Sequence, residues 1–329
     1  MSYGAGSVAV LDLEPANSDF LGEVLAGLSS SPRTLPCKFF YDESGAELFL
    51  KICELPEYYI TRAETQILAR YGREMAEALA PNCELIGFGT GAGIKTRMLL
   101  EQLDNPIAYV PVDISKQRLL ESAEELSRAM PTLEILPVCA DYLQELELPT
   151  PSRRPDRTAV YFPGSTIGNL EPEPARAFLE RVAHLCAPYG GMLIGVDLKK
   201  SPAIIEPAYN DSTGVTSAFN LNLLVRANRE LGADFQLSCW RHQAVFNSEE
   251  SRIEMYLISL ADQTVGIAGR EFYFAEGERI TTEFSYKHSR ESFINLAAAA
   301  GFEFRRLWTD DAGLFGVFHL RVQLQAGLL

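Results

Sequence analysis

Leu85-Ile86-Gly87-Phe88-Gly89-Thr90-Gly91-Ala92-Gly93-Ile94-Lys95-Thr96 drops from an apolar run into four alternating glycines and then enters a helix-like segment ending Met98-Leu99-Leu100. Alternate glycines let the backbone approach a ligand with no Cβ in the way, and the helix start behind them offers free N–H groups and a positive dipole end. That is the shape of a nucleotide-binding turn. Gly87, Gly89 and Ala92 fit the dinucleotide fingerprint with alanine in third place, while Gly89, Gly91 and the following helix equally suit S-adenosylmethionine. A ligand-free glycine turn is the third reading, and the rest of the chain decides among them.

Upstream of the loop, Thr61-Arg62-Ala63-Glu64 reads as a capping box opening a helix whose apolar positions Ile67, Leu68, Tyr71, Met75 and Leu79 follow helical spacing. Downstream the chain alternates. A strand ends near Asp113, a helix runs through Leu119, Leu120, Ala123 and Leu126, and a strand over 134–139 leads to Asp141. The polar, proline-bearing segment 150–157 connects to a strand at 159–162, a helix carrying Phe178, Leu179, Val182 and Leu185, and a strand at 192–196. Strands separated by helices imply an α/β fold with a parallel, doubly wound sheet.

From about Lys200 the rhythm changes to a helix at 219–231 and strand-like runs at 235–246, 253–260 and 280–286, an α+β insertion. A last helix at 290–300 stops at Gly301, and strands at 302–308 and 314–323 turn through Asp310-Asp311-Ala312-Gly313. A terminal antiparallel pair fits a Rossmann-like, seven-stranded methyltransferase sheet, whereas a plain dinucleotide fold ends with parallel strands.

Composition narrows the partners. The 329 residues, 47% hydrophobic, suffice for one large or two ordinary domains, and 44 acidic against 29 basic residues give a net charge of -15. Such a surface repels phosphate backbones and anionic lipid, so neither nucleic acid nor a membrane is an expected partner. Cys37, Cys53, Cys83, Cys139, Cys186 and Cys239 form no CxxC pair, and His184, His242, His288 and His319 show no ligand spacing. Reduced thiols and no metal are expected. With no signal-peptide pattern and no apolar run of membrane-spanning length, a cytoplasmic protein, a monomer acting on a small molecule, is expected.

Asp113, 24 residues after Gly89, ends the next strand where a carboxylate can hold both ribose hydroxyls. Asp141 and Tyr142 end the third strand on the same edge, where an acid and an aromatic can take adenine, which favours S-adenosylmethionine. Lys95 at the helix entrance suits a carboxylate such as the methionine tail, or is a solvated helix lysine. Methyltransferases usually carry an acid near the end of the first strand for the methionine amine; here Gly87 stands there. After the fourth strand, Phe162-Pro163-Gly164-Ser165-Thr166-Ile167-Gly168-Asn169 gathers backbone donors, hydroxyls and a carboxamide, which could line an acceptor site or cap the next helix.

Six motifs in series resemble the histidine-specific Nα-methyltransferases of ergothioneine biosynthesis: Lys38-Phe39-Phe40-Tyr41-Asp42, Leu55-Pro56-Glu57-Tyr58-Tyr59 with Thr61-Arg62-Ala63-Glu64, the segment 162–170, Ala208-Tyr209-Asn210-Asp211, the segment 214–220, and Thr282-Glu283-Phe284-Ser285. The resemblance implies trimethylation of histidine to its betaine, hercynine, with S-adenosylmethionine converted to S-adenosylhomocysteine and no metal. It implies a methyltransferase core of 63–199 with 287–329 and a second, α+β substrate domain of 1–62 with 200–286, histidine lying between them. The residues themselves point to Gly89, Gly91, Lys95, Asp113, Asp141 and Tyr142 as the cofactor site, and the resemblance adds a histidine site. Tyr41 and Asn169 contact the α-amine, with Gly164 and Thr166 shaping that wall. Tyr58 and Tyr209 hold the carboxylate, Glu283 and Ser285 bind the imidazole, and Phe49 and Met255 are apolar walls. An N-methyltransferase of another aromatic amino acid, a nicotinamide oxidoreductase and a non-catalytic S-adenosylmethionine sensor are the alternatives.

Overall fold

The computed structural model describes residues 9–13, 20–89 and 93–323. The chain divides into two compact units, one comprising 1–16, 60–198 and 288–329, the other 17–59 and 199–287.

The first unit is built on one sheet with strands in the order Leu11–Asp12, Val138–Cys139, Ala108–Asp113, Cys83–Phe88, Arg157–Phe162, Gly191–Asp197, Phe315–Val322 and Phe302–Thr309, with Glu134–Ile135 also paired to Ala108–Asp113. All neighbours run parallel except Phe315–Val322, which is antiparallel to both of its own. The central strands are buried on both faces, as Cys83–Phe88 and Gly191–Asp197 are at every position, because helices cover the sheet. Phe178, Leu179 and Val182 of helix Pro172–Cys186 share one core with Phe293 and Ala297 of helix Arg290–Ala299 and with the strand residues Ile86, Val110, Val160 and Ile194. From Cys83–Phe88 the order runs outward through Ala108–Asp113 and then restarts on the other side with Arg157–Phe162. The glycine loop therefore leaves the sheet at its topological switch point, where open α/β sheets bind ligands.

Three features of this unit differ from the sequence reading. The strand over 134–139 is two short strands, Glu134–Ile135 and Val138–Cys139, because Pro137 lacks the N–H that a continuous ladder needs. Leu11–Asp12 belongs to this sheet, with Leu11 N donating to Pro137 O at 2.9 Å and Leu13 N to Cys139 O at 2.9 Å. It covers an edge that would otherwise stay open, and it lies in the first unit, whereas the sequence groups 1–62 with the other domain. Finally, Thr61 and Glu64 form no capping box, since helix Tyr59–Leu79 begins before both. Glu64 is instead fully buried and receives three donors, which outweighs a single cap bond at an exposed terminus.

The second unit carries a four-stranded sheet ordered Arg33–Thr34, Arg279–Tyr286, Arg252–Ser259 and Trp240–Asn247, and a hairpin of Gln263–Ile267 with Arg270–Phe274. The hairpin closes through Ala268 and Gly269 with φ of 49° and 79°, the left-handed pair that a two-residue turn needs. Helices Glu43–Glu54 and Val215–Leu231 pack together, with Phe40 stacked on Phe219 at 4.5 Å and Asn222 donating to Asp42 at 2.7 Å. Asp42 also caps Glu43–Glu54 by accepting from Gly45 N at 2.8 Å. All six cysteines are free thiols; Cys83, Cys139 and Cys186 are buried.

Candidate active site

In the first unit the glycine loop begins at Gly89, whose φ of 58° places it in the left-handed region. A Cβ there would stand 3.6 Å from the Tyr142 ring. Gly93, at φ 72°, starts helix Ile94–Leu100, and a Cβ on it would stand 2.5 Å from Ser122 Oγ. Gly91 lies outside the described residues. Asp113 and Asp141 come to one edge, because Asp113 pairs with Cys139 and accepts Ala140 N on its carbonyl at 3.1 Å. Both carboxylates are half-buried; Asp113 accepts Ser115 N at 2.9 Å and Asp141 accepts Leu143 N at 3.0 Å. These bonds hold each carboxylate still at the mouth of its strand. Tyr142 packs its ring among Phe88, Phe162 and Phe178 at centroid distances of 5.5–6.0 Å, so it is anchored in the core as well as set beside Gly89.

Lys95 is not a solvated lysine. Its Nζ donates to Glu64 Oε2 at 2.5 Å, and the same oxygen accepts Gly164 N at 2.9 Å, while Tyr161 Oη donates to Glu64 Oε1 at 3.3 Å. Gly195 makes room for this carboxylate, since a Cβ there would lie 2.5 Å from Glu64 Oε1. Glu64 thus joins the helix after the glycine loop to the turn after the fourth strand. Its local pattern reads as a cap; the signals that point to the buried pairing are an acid among apolar helix positions and a glycine in mid-strand.

The turn at 163–169 holds its shape through its own hydroxyls. Thr166 Oγ1 donates to Pro163 O at 2.9 Å, and Ser165 Oγ accepts Asp197 N at 2.9 Å. Neither caps helix Pro172–Cys186, whose cap residue is Glu171. Gly164 has φ 78° and Ser165 φ 59°, both left-handed. Asn169 ends the short 3-10 helix Thr166–Asn169 half-buried, and its carboxamide makes no hydrogen bond among the described residues.

The second unit gathers Tyr41, Phe49, Tyr58, Tyr209, Met255, Glu283 and Ser285. Tyr41, Phe49 and Tyr58 stand edge to face in turn at 5.5 and 6.3 Å, and Tyr58 meets Tyr209 at 6.4 Å. Met255 lies directly opposite Glu283 on the neighbouring strand, so the two share a face. Tyr209 Oη and Ser285 Oγ are 2.8 Å apart. Burial pushes the Tyr58 hydroxyl well above the ordinary phenol range, so it is a neutral donor. Glu283 is half-buried, and its carboxylate makes no hydrogen bond or ion pair among the described residues. Burial pushes its carboxyl up to about 7, against the downward pull of the Lys287 charge.

The motif around Tyr209 explains how that ring is held. Asn210 exchanges two bonds with Ala244, at 2.9 and 3.0 Å, and Asp211 accepts from Val215 N and Thr216 N at the start of helix Val215–Leu231. These bonds and that of Thr213 Oγ1 outweigh burial and hold the Asp211 carboxyl well below its usual range. His242, which carried no role in the sequence reading, bonds Tyr209 O at 2.8 Å and Asn220 Nδ2 at 2.8 Å. Lys287 was also missed. Its fully buried Nζ bonds Tyr209 Oη at 2.8 Å and Ser285 Oγ at 2.9 Å, and the strict alternation Glu283, Ser285, Lys287 is the strand-period signal that could have found it.

One unit thus presents carboxylates and a left-handed glycine at a switch point, the other an aromatic cluster around an unpartnered acid. A family model for histidine-specific, S-adenosylmethionine-dependent methyltransferases matches residues 20–322. The chain belongs to that family. It is 40% identical to the histidine N-alpha-methyltransferase of Mycolicibacterium smegmatis over 90% of this chain and 92% of that one, and 41% identical to the Mycobacterium tuberculosis protein of the same name over the same shares. It is also 32% identical, over 84% of its length, to ergothioneine biosynthesis protein 1 of Neurospora crassa, of which it spans 32%. The protein is therefore an S-adenosylmethionine-dependent methyltransferase, and the nicotinamide alternative for its glycine loop is set aside. The residues present fit that cofactor: backbone without a Cβ at Gly89, and two fixed carboxylates on adjacent strand ends.

Proposed function

We propose that this enzyme methylates the α-amine of L-histidine three times, giving the betaine hercynine for ergothioneine biosynthesis. The observation that carries the reading is Glu283, an unpartnered, half-buried carboxylate beside Ser285, inside a cluster of tyrosines. An acid left without a partner calls for a ligand that donates to it, and a site built to hydrogen-bond a polar group rejects analogues that lack it. Glu283 and Ser285 take the imidazole, Tyr58 donates to the carboxylate with the Tyr209 ring beside it, and Phe49 and Met255 are apolar walls. Tyr41 and Asn169 orient the amine, with Gly164 and Thr166 shaping the turn that presents Asn169. Gly89, Gly91, Asp113, Asp141 and Tyr142 hold the cofactor, and Lys95, fixed by Glu64, meets its carboxylate.

When bound, S-adenosylmethionine supplies an electrophilic methyl group on a sulfonium. The chain's own residues position the acceptor. An amine reacts only through its lone pair, so the α-amine must be neutral, and each unit of unfavourable pKa costs about 1.4 kcal/mol. The Asn169 carboxamide oxygen and the Tyr41 hydroxyl orient that lone pair, so placement contributes most of the acceleration, and the proton left on nitrogen by each of the first two transfers passes to solvent before the next. As methyl groups replace N–H donors, tyrosine faces stabilise the growing cation.

Mass spectrometry of histidine incubated with the enzyme and S-adenosylmethionine tests this directly. Mono-, di- and trimethyl products should appear in sequence, ending at the trimethyl form, with no comparable product from tryptophan, tyrosine or phenylalanine. Accumulation only of monomethyl product would overturn the three-step claim. Turnover of another amine in preference to histidine would overturn the substrate, and binding of the cofactor without turnover of any amine would make the chain a sensor.

A further inference from the structure

Lys287 has a specific consequence for which form of an imidazole Glu283 and Ser285 can bind. A serine hydroxyl has one proton to donate and two lone pairs to accept with. Lys287 Nζ, which can only donate, lies 2.9 Å from Ser285 Oγ and fills one lone pair. Tyr209 Oη lies 2.8 Å from the same oxygen, and the phenol is the stronger acid and the weaker acceptor of the two hydroxyls. Lys287 strengthens that polarity by donating to Tyr209 Oη at 2.8 Å, so Tyr209 donates to Ser285 and fills the second lone pair. Ser285 keeps only its own proton.

Glu283 stands two residues earlier on the same strand face and, ionised, can only accept. The face therefore offers one donor and one acceptor. Neutral imidazole matches both, with one bare nitrogen and one N–H; imidazolium carries two N–H groups and meets Ser285 donor to donor. An indole N–H could meet Glu283 but leaves Ser285 without an acceptor.

We propose that Lys287 is a positioning residue that sets substrate specificity: by saturating Ser285 as an acceptor it makes this face select histidine as the neutral imidazole, in the single tautomer whose N–H meets Glu283. The inference deepens the histidine reading above and rests on it. Lys287 has a second effect of the same sign. Burial alone disfavours the Glu283 carboxylate, and the Lys287 charge opposes that. Among the described residues, the other titratable groups facing Glu283 are Cys37 and Tyr58, both pushed up by burial and hence neutral at physiological pH. Arg252 and Glu254 of the adjacent strand pair with Tyr286 and Phe284, which belong to the opposite face.

The test is nitrogen NMR of ring-labelled histidine bound to the full-length enzyme saturated with S-adenosylhomocysteine, at pH 8, where free histidine populates both tautomers. The wild type should show one pyridine-like and one N–H nitrogen, a single neutral tautomer. Lys287→Met, which frees a lone pair on Ser285, should give averaged shifts from mixed tautomers and at least a tenfold weaker histidine affinity, with affinity for S-adenosylhomocysteine within about twofold of wild type. A wild-type spectrum of imidazolium or of mixed tautomers overturns the proposal with no variant needed, as does a folded Lys287→Met protein that keeps the single tautomer. A wild type that binds S-adenosylhomocysteine but no histidine overturns the substrate reading, and this inference with it.

Discussion

At the scale of single residues, Glu283 sets function against stability. Its folded-state pKa of about 7 lies above the ordinary carboxyl value, so the native state keeps the proton that the unfolded chain has already released. The stability that this proton brings is complete below the unfolded value, is lost as pH rises through about 7, and is absent at pH 8. Glu283→Gln should therefore be more stable than wild type at pH 8, by up to roughly 3 kcal/mol in urea unfolding, with the gain shrinking toward pH 5. The same variant should lose histidine binding; a variant no more stable at pH 8 would show that the carboxylate is solvated. Asp113 should behave in the opposite sense. Asp113→Ala should weaken S-adenosylhomocysteine binding at least tenfold in calorimetry while leaving the proposed histidine-binding groups of the other unit untouched, and equal losses for both ligands in both variants would undo this division of labour.

Individual elements are fixed by buried polar contacts that local sequence signals do not report. Glu64 bonds Lys95, Gly164 N and Tyr161 from inside helix Tyr59–Leu79. Removing one partner of a buried pair strands the other charge, which costs about 3–5 kcal/mol. Lys95→Met should therefore lower stability by about that amount in chemical denaturation, and Lys95→Met/Glu64→Gln should recover much of it; no recovery would show that the two do not act as a pair. Asp211 anchors helix Val215–Leu231 and, through the adjoining residue, Tyr209. Loss of such a cap costs about 1–2 kcal/mol, so Asp211→Ala should lower the free energy of urea unfolding by that amount. Because the Asp211 carboxyl is held below its usual range, this contribution is present above pH 4 and fades only as pH falls below it; the wild-type and variant curves should converge in strong acid.

For the whole molecule, the cofactor class is the property most directly checked. S-adenosylhomocysteine at a hundred times its dissociation constant should add about 2.7 kcal/mol of stability, visible as a rise in Tm, whereas NAD should leave Tm unchanged. A rise with NAD alone would restore the dinucleotide reading of the glycine loop.

The α/β class, the parallel sheet with its antiparallel close and the glycine turn at the head of a helix were legible because they are written in short-range periodicity, which backbone geometry imposes on neighbouring residues. The motif series was legible too, since one ordered set of residue types runs across nearly the whole chain. Glu64 as a buried ion partner, the break of the third strand at Pro137, the added strand Leu11–Asp12 and the Lys287–Tyr209–Ser285 triangle were not read from it. Each depends on a partner far along the chain or on a count of filled lone pairs, and neither is a property of a sequence window. The sequence by itself determined the fold class and the chemistry a ligand would need, because periodicity and residue type are local. Only the tertiary structure decided which hydroxyls meet and which carboxylate stays unpartnered, because a hydrogen bond is defined by where its other end lies.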